Sequence, residues 1–427
     1  MEISPVFTTV TPTHWQAPPE WMNFHYLVRA ERCPRSAALR HATYSQLWNR
    51  RGYPDKPSLA ALAGMVMHRA IARIVRALAD NGIGSFDDPR SVAILKSLGG
   101  YSKVIAESVT DVFQSLAGNP RFELLQSSSL SRLNNRLPAI REQIQLQLSR
   151  LKWKLQGPPV DLTEDQDTDA LAGDRPPLEQ GTHFEVELRH PGIKWRGFAD
   201  LIELREDLCT IEDFKSGESS DDHLLQLQIY ALLWNNDEEL NPAKTAADKL
   251  VICYPNGDRI VPYDKNSGGK LAQELQARTK AVRKAVSGPE SQANLDADRC
   301  PQCDVRPLCS DYWTGKRPVS VNGDSGERFQ IDDIQLVLRS RKGQTTWSAE
   351  CQLSNHLPVG STVLLRWMPK DFVVLDQLLP GSGVRLSGAL IFYSEDAKLQ
   401  IVSCSTTTDL ILPSPSKCID ACLTLRT

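Results

Sequence analysis

The chain has 427 residues, which exceeds a typical single domain and allows about two or three modules with substantial cores. Its formal net charge is −3, so the overall charge neither requires nor excludes a nucleic acid partner. No apolar run is long enough to span a membrane, and the N-terminal residues lack a basic segment followed by an apolar one. These features predict a cytoplasmic protein with no membrane partner.

The N-terminal part of the chain is predicted to be mostly helical. An irregular arm over residues 1 to 24 precedes two helices, whose junction is marked by Cys33 followed by a proline. Leu59 to Asp80 has a helical composition and places His68 among small and apolar neighbours. Residues 57 to 156 thus form a helical part of the first domain. In isolation, His68 is explained as an ordinary histidine of a core or surface.

A sheet is predicted in the middle of the chain, after a proline-rich acidic stretch over residues 157 to 181 that is expected to be a disordered loop. A mixed sheet flanked by helices belongs to the α/β class. The predicted strands cover residues 182–190, 197–204, 208–215 and 249–255, and predicted helices cover residues 223–236 and 269–286.

Two neighbouring strands of this sheet carry the residues with the clearest chemistry. Asp200 lies within one strand, and Asp213 and Lys215 end the next, so two carboxylates and one ammonium can meet. Carboxylates suit a hard cation such as Mg2+ or Mn2+, and a lysine beside it can orient or deprotonate a water. A metal ion and an activated water are equipment for phosphodiester hydrolysis. Gln226 and Tyr230, four residues apart, share one face of the following helix.

Two glutamates of the strand over residues 182–190 also point to one face. Glu185 and Glu187 are two residues apart, the repeat of side chains on a strand. Either residue could join the outer shell of a metal ion or form an outward salt bridge, and both alternatives stay open.

The cysteines indicate a second metal site. Cys300, Cys303 and Cys309 form a C-x2-C-x5-C run, and Cys33 is the candidate for the fourth ligand that zinc and iron–sulfur sites commonly need. Zinc more often uses two C-x2-C pairs or added histidines. One remote cysteine and a compact loop therefore favour an iron–sulfur cluster over zinc.

Together these residues resemble the RecB-type branch of the PD-(D/E)XK nuclease superfamily, with its iron–sulfur members as the nearer match. The resemblance covers about residues 20 to 315. The order of these residues is similar to that in the CRISPR spacer-acquisition nuclease and the AddB nuclease domain. The resemblance implies a PD-(D/E)XK core with a helical insert. The matching residues run in the order Cys33, His68, Asp200, Asp213-x-Lys215, Gln226-x-x-x-Tyr230, Cys300, Cys303 and Cys309.

The resemblance also implies a role for each matching residue. His68, Asp200 and Asp213, with the backbone carbonyl of Phe214, would hold Mg2+ or Mn2+, and Lys215 would position the attacking water. The helix pair, Gln226 and Tyr230, would hold the DNA strand or support the site. The cysteines Cys33, Cys300, Cys303 and Cys309 would bind a 4Fe-4S cluster.

Residues 316 to 427 are predicted to form a separate all-β module, because short β-rich runs alternate there with turns. A small barrel or sandwich, possibly OB-like in its fold, fits this pattern, and it would follow a nuclease domain over residues 1 to 315. Single-strand binding and protein docking are both open as its role. Candidate nucleic acid contacts are Arg339, Arg341, Lys342, Trp347, Arg366, Trp367 and Lys370.

The sequence therefore predicts a metal-dependent DNA nuclease with a structural 4Fe-4S cluster, acting on single strands or ends in prokaryotic repair, recombination or phage and CRISPR defence. A noncatalytic DNA-binding or scaffold subunit is the alternative from another class. A third alternative is a nuclease active only beside a helicase, CRISPR or defence-complex partner.

Overall fold

The computed structural model of the chain contains two β-sheets. It describes residues 6–8, 11–45, 52–123, 126–150, 175–206, 208–215, 219–254, 257–314, 329–367, 374–393, 400–404 and 408–412. No helix in this described part of the chain is long and apolar enough to cross a membrane.

The first half of the chain is mainly helical, as predicted. Its elements are strand β1 (Val6–Thr8) and helices α1 (Phe24–Arg32), α2 (Pro34–His41), α3 (Leu59–Asp80), α4 (Ser91–Ser97), α5 (Gly100–Ser115), α6 (Pro120–Glu123), α7 (Gln126–Asn134) and α8 (Leu137–Arg150). The predicted bounds of α3 are confirmed. The helix starts at Leu59 because the Ser58 side chain caps it by accepting the Ala61 N–H at 3.1 Å.

The predicted acidic loop lies largely outside the described residues, which resume at Arg175. Arg175 is held by a 2.8 Å ion pair with Asp237, whose side chain is 1% exposed. The end of this stretch is therefore anchored rather than disordered, since a buried carboxylate needs a partner.

The middle of the chain forms a five-stranded mixed sheet, which confirms the predicted α/β class. Its strands are β2 (Gly181–His190), β3 (Trp195–Arg205), β4 (Leu208–Phe214), β5 (Lys249–Tyr254) and β6 (Gly257–Ile260), with helix α9 (Asp221–Asn236) between β4 and β5 and helix α10 (Gly268–Ala285) after β6. Strands β4 and β5 are parallel and the other neighbours are antiparallel. A parallel pair needs a crossover connection, which α9 supplies.

Helices cover both faces of this sheet. Phe214 and Val251 pack with α3, α5 and α8 on one face, whereas Ile211 and Ile252 pack with α1, α9 and α10 on the other. Because alternate residues of a strand face opposite ways, Asp213 lies on the α9 face with Ile211. The result is a three-layer arrangement with the functional strands in its middle.

The alternation of faces breaks at one position of the β2–β3 pair. Phe184 packs with the α3 layer and Val186 with the α9 layer, and the β3 residues opposite them change faces in the same way. Between them Glu185 lies opposite Asp200 and has a positive φ of 50°. A left-handed residue interrupts extended geometry, so the sheet changes its facing at Asp200.

The C-terminal module is a closed five-stranded barrel joined by two further strands. Its elements are β7 (Phe329–Gly343), β8 (Thr346–Leu353), β9 (Thr362–Arg366), helix α11 (Val374–Gln377), β10 (Gly383–Tyr393), β11 (Gln400–Ser403) and β12 (Asp409–Leu412). The barrel order is β7-β8-β9-β11-β10, and β10 pairs back with β7. Strands β9 and β11 are parallel.

Two local predictions at the chain's ends are wrong. Val6–Thr8 is not an irregular arm, because β1 pairs in parallel with β12 and so extends the C-terminal sheet. The apolar run over residues 372–379 is one of the short β-rich runs predicted for the C-terminal module, but Val374–Gln377 is helical. A short apolar run does not distinguish the two structures, and here Leu375 is buried while its carbonyl accepts the Trp347 Nε1–H at 3.0 Å.

Candidate active site

Asp200 and Asp213 meet where strands β3 and β4 separate. The pairing of β3 with β4 begins at Arg205 with Leu208 and ends at Leu201 with Glu212. The next residue beyond this last pair is Asp200 on β3 and Asp213 on β4. At this point Asp200 Oδ2 accepts the Phe214 N–H at 2.6 Å. A side chain of β3 thus takes the place of a backbone partner and is fixed beside the next carboxylate.

The environment of Asp213 disfavours its negative charge. The residue is 2% exposed, and burial followed by the charge of Asp200 raises its pKa to about 6. Lys215 opposes this change, with Nζ at 2.6 Å from Asp213 Oδ2. A cation beside the two carboxylates would relieve the same charge repulsion, so these oxygens are suitable ligands for a hard metal ion.

His68 and Lys215 approach this point from different elements. The imidazole of His68 projects from α3 to the ring of Phe214, with the two ring centroids 6.3 Å apart. The Lys215 N–H donates to the Cys253 carbonyl on β5 at 2.9 Å, which fixes the backbone at the end of β4. The structure therefore brings Asp200, Asp213, Phe214 and Lys215 together at the end of β4, and it places His68 against the ring of Phe214.

Gln226 and Tyr230 lie behind this region in the core. Gln226 Nε2 donates to Tyr230 Oη at 2.7 Å, and the two residues are 3% and 5% exposed. The ring of Tyr230 packs on Gly197 of β3, where an added Cβ would lie 2.7 Å from Tyr230 Cε1. Their burial fits support of the Asp200 strand better than direct contact with DNA. A glycine inside a strand is the sequence feature that points to Gly197.

His223 and Tyr254 are two further residues at the site that the motif does not include. His223 Nδ1 lies 2.9 Å from Tyr254 Oη, and the two ring centroids are 5.9 Å apart. Burial and then the charge of Lys215 lower the pKa of His223, whereas Asp213 acts in the opposite direction. His223 therefore lies within electrostatic range of both motif residues. Its position near the start of the helix after Asp213-x-Lys215 is the only hint in the sequence.

The structure separates the two glutamates of β2. Glu187 Oε2 lies 2.6 Å from Arg189 Nη2, which favours the salt-bridge alternative for this residue. Glu185 lies opposite Asp200, where the sheet changes its facing. Of the two glutamates, Glu185 is therefore the one at the level of Asp200 in the strand register.

None of the four candidate cysteines forms a disulfide. Burial, followed by the charge of Asp311 and then those of Cys33 and Cys303, raises the pKa of Cys309 to about 11. Burial also raises the pKa of Cys300, and the same two cysteines add to the effect. The charges of Cys33 and Cys303 thus act on the other two thiols, so the four residues belong to one neighbourhood of the fold.

Hydrogen-bond donors face several of these sulfurs. Backbone N–H groups in this position stabilise thiolates and tune the properties of iron–sulfur clusters. The contacts are Asn294 N–H to Cys33 Sγ at 3.5 Å, Asp296 N–H to Cys300 Sγ at 3.3 Å, and Ser36 Oγ with Cys303 Sγ at 3.5 Å. Nevertheless, no three His, Cys, Asp or Glu side chains of the described residues form a group arranged to hold a metal ion. Both candidate sites therefore have suitable donors without a finished coordination shell.

The cysteine loop is attached to the C-terminal barrel through Asp333. Its carboxylate accepts hydrogen bonds from Arg306 Nε at 2.7 Å, Tyr312 Oη at 2.9 Å and the Gly388 N–H at 2.7 Å. The side chain is 7% exposed. Since Arg306 lies between Cys303 and Cys309, this carboxylate links the loop directly to strands β7 and β10.

The barrel surface does not present the predicted aromatic contacts for nucleic acid. Trp347 and Trp367 are 2% and 4% exposed and belong to the barrel core, so these two predictions are wrong. Arg339 pairs with Glu350 at 2.6 Å, and Arg341 pairs with Asp376. Apolar burial dominates the placement of large aromatic residues in small barrels. Lys370 lies outside the described residues.

The fold and the site define a class of α/β proteins in which two carboxylates and a lysine meet at the ends of adjacent strands of a mixed sheet. The family model of the PD-(D/E)XK nuclease superfamily matches residues 24–310, and the chain belongs to this superfamily. Members of the superfamily are typically nucleases, and they usually use Mg2+ or Mn2+.

Comparison with curated proteins finds no match. Among solved structures, the chain is similar to SSO0001 in its crystal structure, with 21% identity over 30% of this chain and a TM-score of 0.18. The match spans 60% of the length of that chain. The family assignment therefore rests on the family model.

Proposed function

We propose that the protein is a metal-dependent DNA nuclease that hydrolyses phosphodiester bonds. The observation that carries this proposal is the junction of β3 and β4, where Asp200 Oδ2 accepts the Phe214 N–H at 2.6 Å and Lys215 Nζ lies 2.6 Å from Asp213 Oδ2. A scaffold has no need for a buried carboxylate whose charge its surroundings disfavour. The noncatalytic subunit is thus the weaker alternative.

The donor set at this junction fits Mg2+ or Mn2+. Asp200 and Asp213 supply carboxylate oxygens, and we assign His68 and the Phe214 carbonyl as further ligands from the family resemblance. The bound ion would polarise the phosphodiester and lower the pKa of a water molecule. The raised pKa of Asp213 supports the fit, because a nearby cation favours the ionised carboxylate.

Residues of the chain itself would complete the catalytic geometry. Lys215 is 19% exposed and reaches solvent from the buried carboxylate, so its ammonium can hold a water for attack on phosphorus. Gln226 and Tyr230 hold α9 against Gly197 and so keep the Asp200 strand in position. We propose DNA single strands or ends as substrates, in prokaryotic repair, recombination or defence, alone or beside a helicase, CRISPR or defence-complex partner.

We also propose that Cys33, Cys300, Cys303 and Cys309 bind a 4Fe-4S cluster with a structural role, as in the RecB-type members that the motif resembles. Their mutual electrostatic effects and the N–H groups directed at Cys33 and Cys300 support this assignment. Hydrolysis requires no electron transfer, whereas a cluster joining residue 33 to residues 300–309 contributes folding energy. Iron and sulfide analysis of wild type and Cys303→Ser tests it. Zinc in place of iron, or full iron and stability in the variant, would contradict the assignment.

We propose an OB-type fold for the C-terminal barrel, because its strand order, the parallel β9–β11 pair and a helix between the third and fourth strands are features of that fold. The buried tryptophans and paired arginines favour a docking role over single-strand binding. Its contact with the cysteine loop through Asp333 is consistent with docking.

Nuclease assays with Mg2+ or Mn2+ on single-stranded, double-stranded and flapped DNA test the main proposal. The cluster-loaded protein should cut at least one substrate, and Lys215→Ala should abolish cleavage while Lys270→Ala, an exposed lysine of α10, should not. Absence of cleavage by the loaded protein, together with no effect of Lys215→Ala in cells, would favour the scaffold alternative. Activity only after addition of a partner would identify the partner-dependent nuclease.

A further inference from the structure

We propose that His223, oriented by Tyr254, forms a phosphate-binding contact for nucleic acid beside Lys215. This inference rests on the proposed nuclease function and adds a residue outside the family motif. It assigns substrate binding to the α9 side of the site, where Asp213 also lies. The ligand is a phosphate group of a bound DNA strand.

His223 and Lys215 are fixed by consecutive residues of one strand. The Lys215 N–H donates to the Cys253 carbonyl at 2.9 Å, and Tyr254 Oη lies 2.9 Å from His223 Nδ1. Tyr254 is the last residue of β5 and is 6% exposed, so its hydroxyl is a fixed partner. The backbone of Lys215 and the imidazole of His223 are therefore both positioned by the end of β5.

The bond to Tyr254 leaves the other nitrogen of the ring available. Among the described residues none hydrogen bonds to His223 Nε2, and His223 is only partly buried. Nε2 carries a hydrogen both in the imidazolium and in the neutral ring when Tyr254 donates to Nδ1. In either state this N–H is a suitable donor to a phosphate oxygen.

Charge also favours an anion at this place. Burial and then the charge of Lys215 lower the pKa of His223, so the positive charge nearby disfavours the imidazolium. A phosphate between them would favour both cations. Asp213 and Asp222 act in the opposite direction on His223, but Asp213 is paired with Lys215 and Asp222 is paired with Arg32.

Binding and cleavage by His223 variants test this proposal. Binding of a fluorescein-labelled single-stranded oligonucleotide in Ca2+, without cleavage, should weaken about ten-fold or more in His223→Leu, as expected for loss of one hydrogen bond to a charged group. His223→Gln, which keeps a donor, should recover part of the affinity, and Tyr254→Phe should show a smaller loss. In Mg2+ or Mn2+ the KM should rise more than kcat falls. His183→Gln is the control, because His183 lies on β2 with its Nε2 at 2.8 Å from the Glu179 carbonyl.

The outcomes separate this inference from the nuclease proposal. Unchanged DNA affinity in a folded His223→Leu protein, or a lower melting temperature with unchanged affinity, would overturn it even if the wild type cuts DNA. If His223→Leu weakens DNA binding but the wild type cuts no DNA, the phosphate contact would be supported and the nuclease proposal refuted. Oligonucleotides with and without a 5′-phosphate distinguish the source. If His223→Leu weakens the binding of both oligonucleotides, His223 contacts a backbone phosphate. If it weakens the binding of the phosphorylated oligonucleotide alone, His223 contacts the terminal phosphate.

Discussion

Replacing Asp213 with asparagine should make the metal-free protein more stable at neutral pH while it removes nuclease activity. The pKa of Asp213 is raised from 3.8 to about 6, first by burial and then by Asp200. At about 1.4 kcal/mol for each pKa unit, this difference corresponds to about 3 kcal/mol against the ionised form in the folded protein. The neutral amide of Asn has no such cost. We therefore expect a gain of at least about 1 kcal/mol above pH 7.

The stability advantage of Asp213→Asn depends on pH. Below pH 3.8 the carboxyl is protonated in the folded and the unfolded chain, so Asp213 does not disfavour folding. As the pH rises from 3.8 toward 6, the unfolded chain ionises first and the folded protein loses stability. Above about 6 the full cost is present. The advantage of Asp213→Asn should therefore grow between pH 4 and pH 7 and then stay constant.

Chemical denaturation of the protein in EDTA at several pH values measures this advantage. Glu206→Gln is a suitable control, because Glu206 is exposed in the turn after β3 and its charge has little effect on folding. Added Mg2+ or Mn2+ should stabilise the wild type and not Asp213→Asn. A variant that is equally stable or less stable than the wild type at pH 8 would refute the conclusion that the Asp213 charge is disfavoured by its surroundings.

Two further variants test the packing around the site and the attachment of the barrel. Gly197→Ala should destabilise the protein by about 1–3 kcal/mol and lower nuclease activity, because its Cβ would lie 2.7 Å from Tyr230 Cε1. Gly269→Ala, where nothing lies within 4 Å of the added Cβ, should be neutral in the same denaturation assay, and an equal effect of both would contradict the close contact. Asp333→Asn should cost about 2–3 kcal/mol and increase proteolysis between the two domains, because the amide places donors against Arg306 and Tyr312. Glu350→Gln, in an exposed pair with Arg339, should change the melting temperature little, and if Asp333→Asn behaved likewise the barrel would not be attached by this carboxylate.

Much of the sheet could be predicted from the sequence because its strands are long, apolar and separated by clear turns. The bounds of α3, β2, β3, β4, α9, β5 and α10 agree with the predictions to within a few residues, whereas β6 is not among the predicted strands. Period-two alternation, in contrast, does not reveal the change of facing at Asp200, because it depends on a left-handed glutamate. A glutamate rarely takes that conformation, so residue type gives no warning of it.

The parts of the site that escaped prediction depend on contacts between distant segments. Gln226 and Tyr230 share a helix face, but only the structure shows that this face packs on Gly197 and not on solvent. The same holds for His223, whose neighbour Tyr254 is 31 residues away. Trp347 and Trp367 are expected from the sequence at a surface but lie in the barrel core. Aromatic composition alone does not distinguish a stacking surface from a core.

The cysteine group and the candidate active site are connected through the helices on one face of the sheet. Cys33 caps the start of α2 directly after α1, and α1 is tied to α10 by Arg278, whose Nε lies 2.7 Å from Glu31 Oε1. The last residue of α1, Arg32, pairs with Asp222 in the first turn of α9. Helix α9 in turn carries His223 and packs on β3 beside Asp200. Because each link is a packed helix or an ion pair, a cluster that fixes α1 would also restrict the position of α9 over the paired carboxylates, although hydrolysis itself does not use its iron.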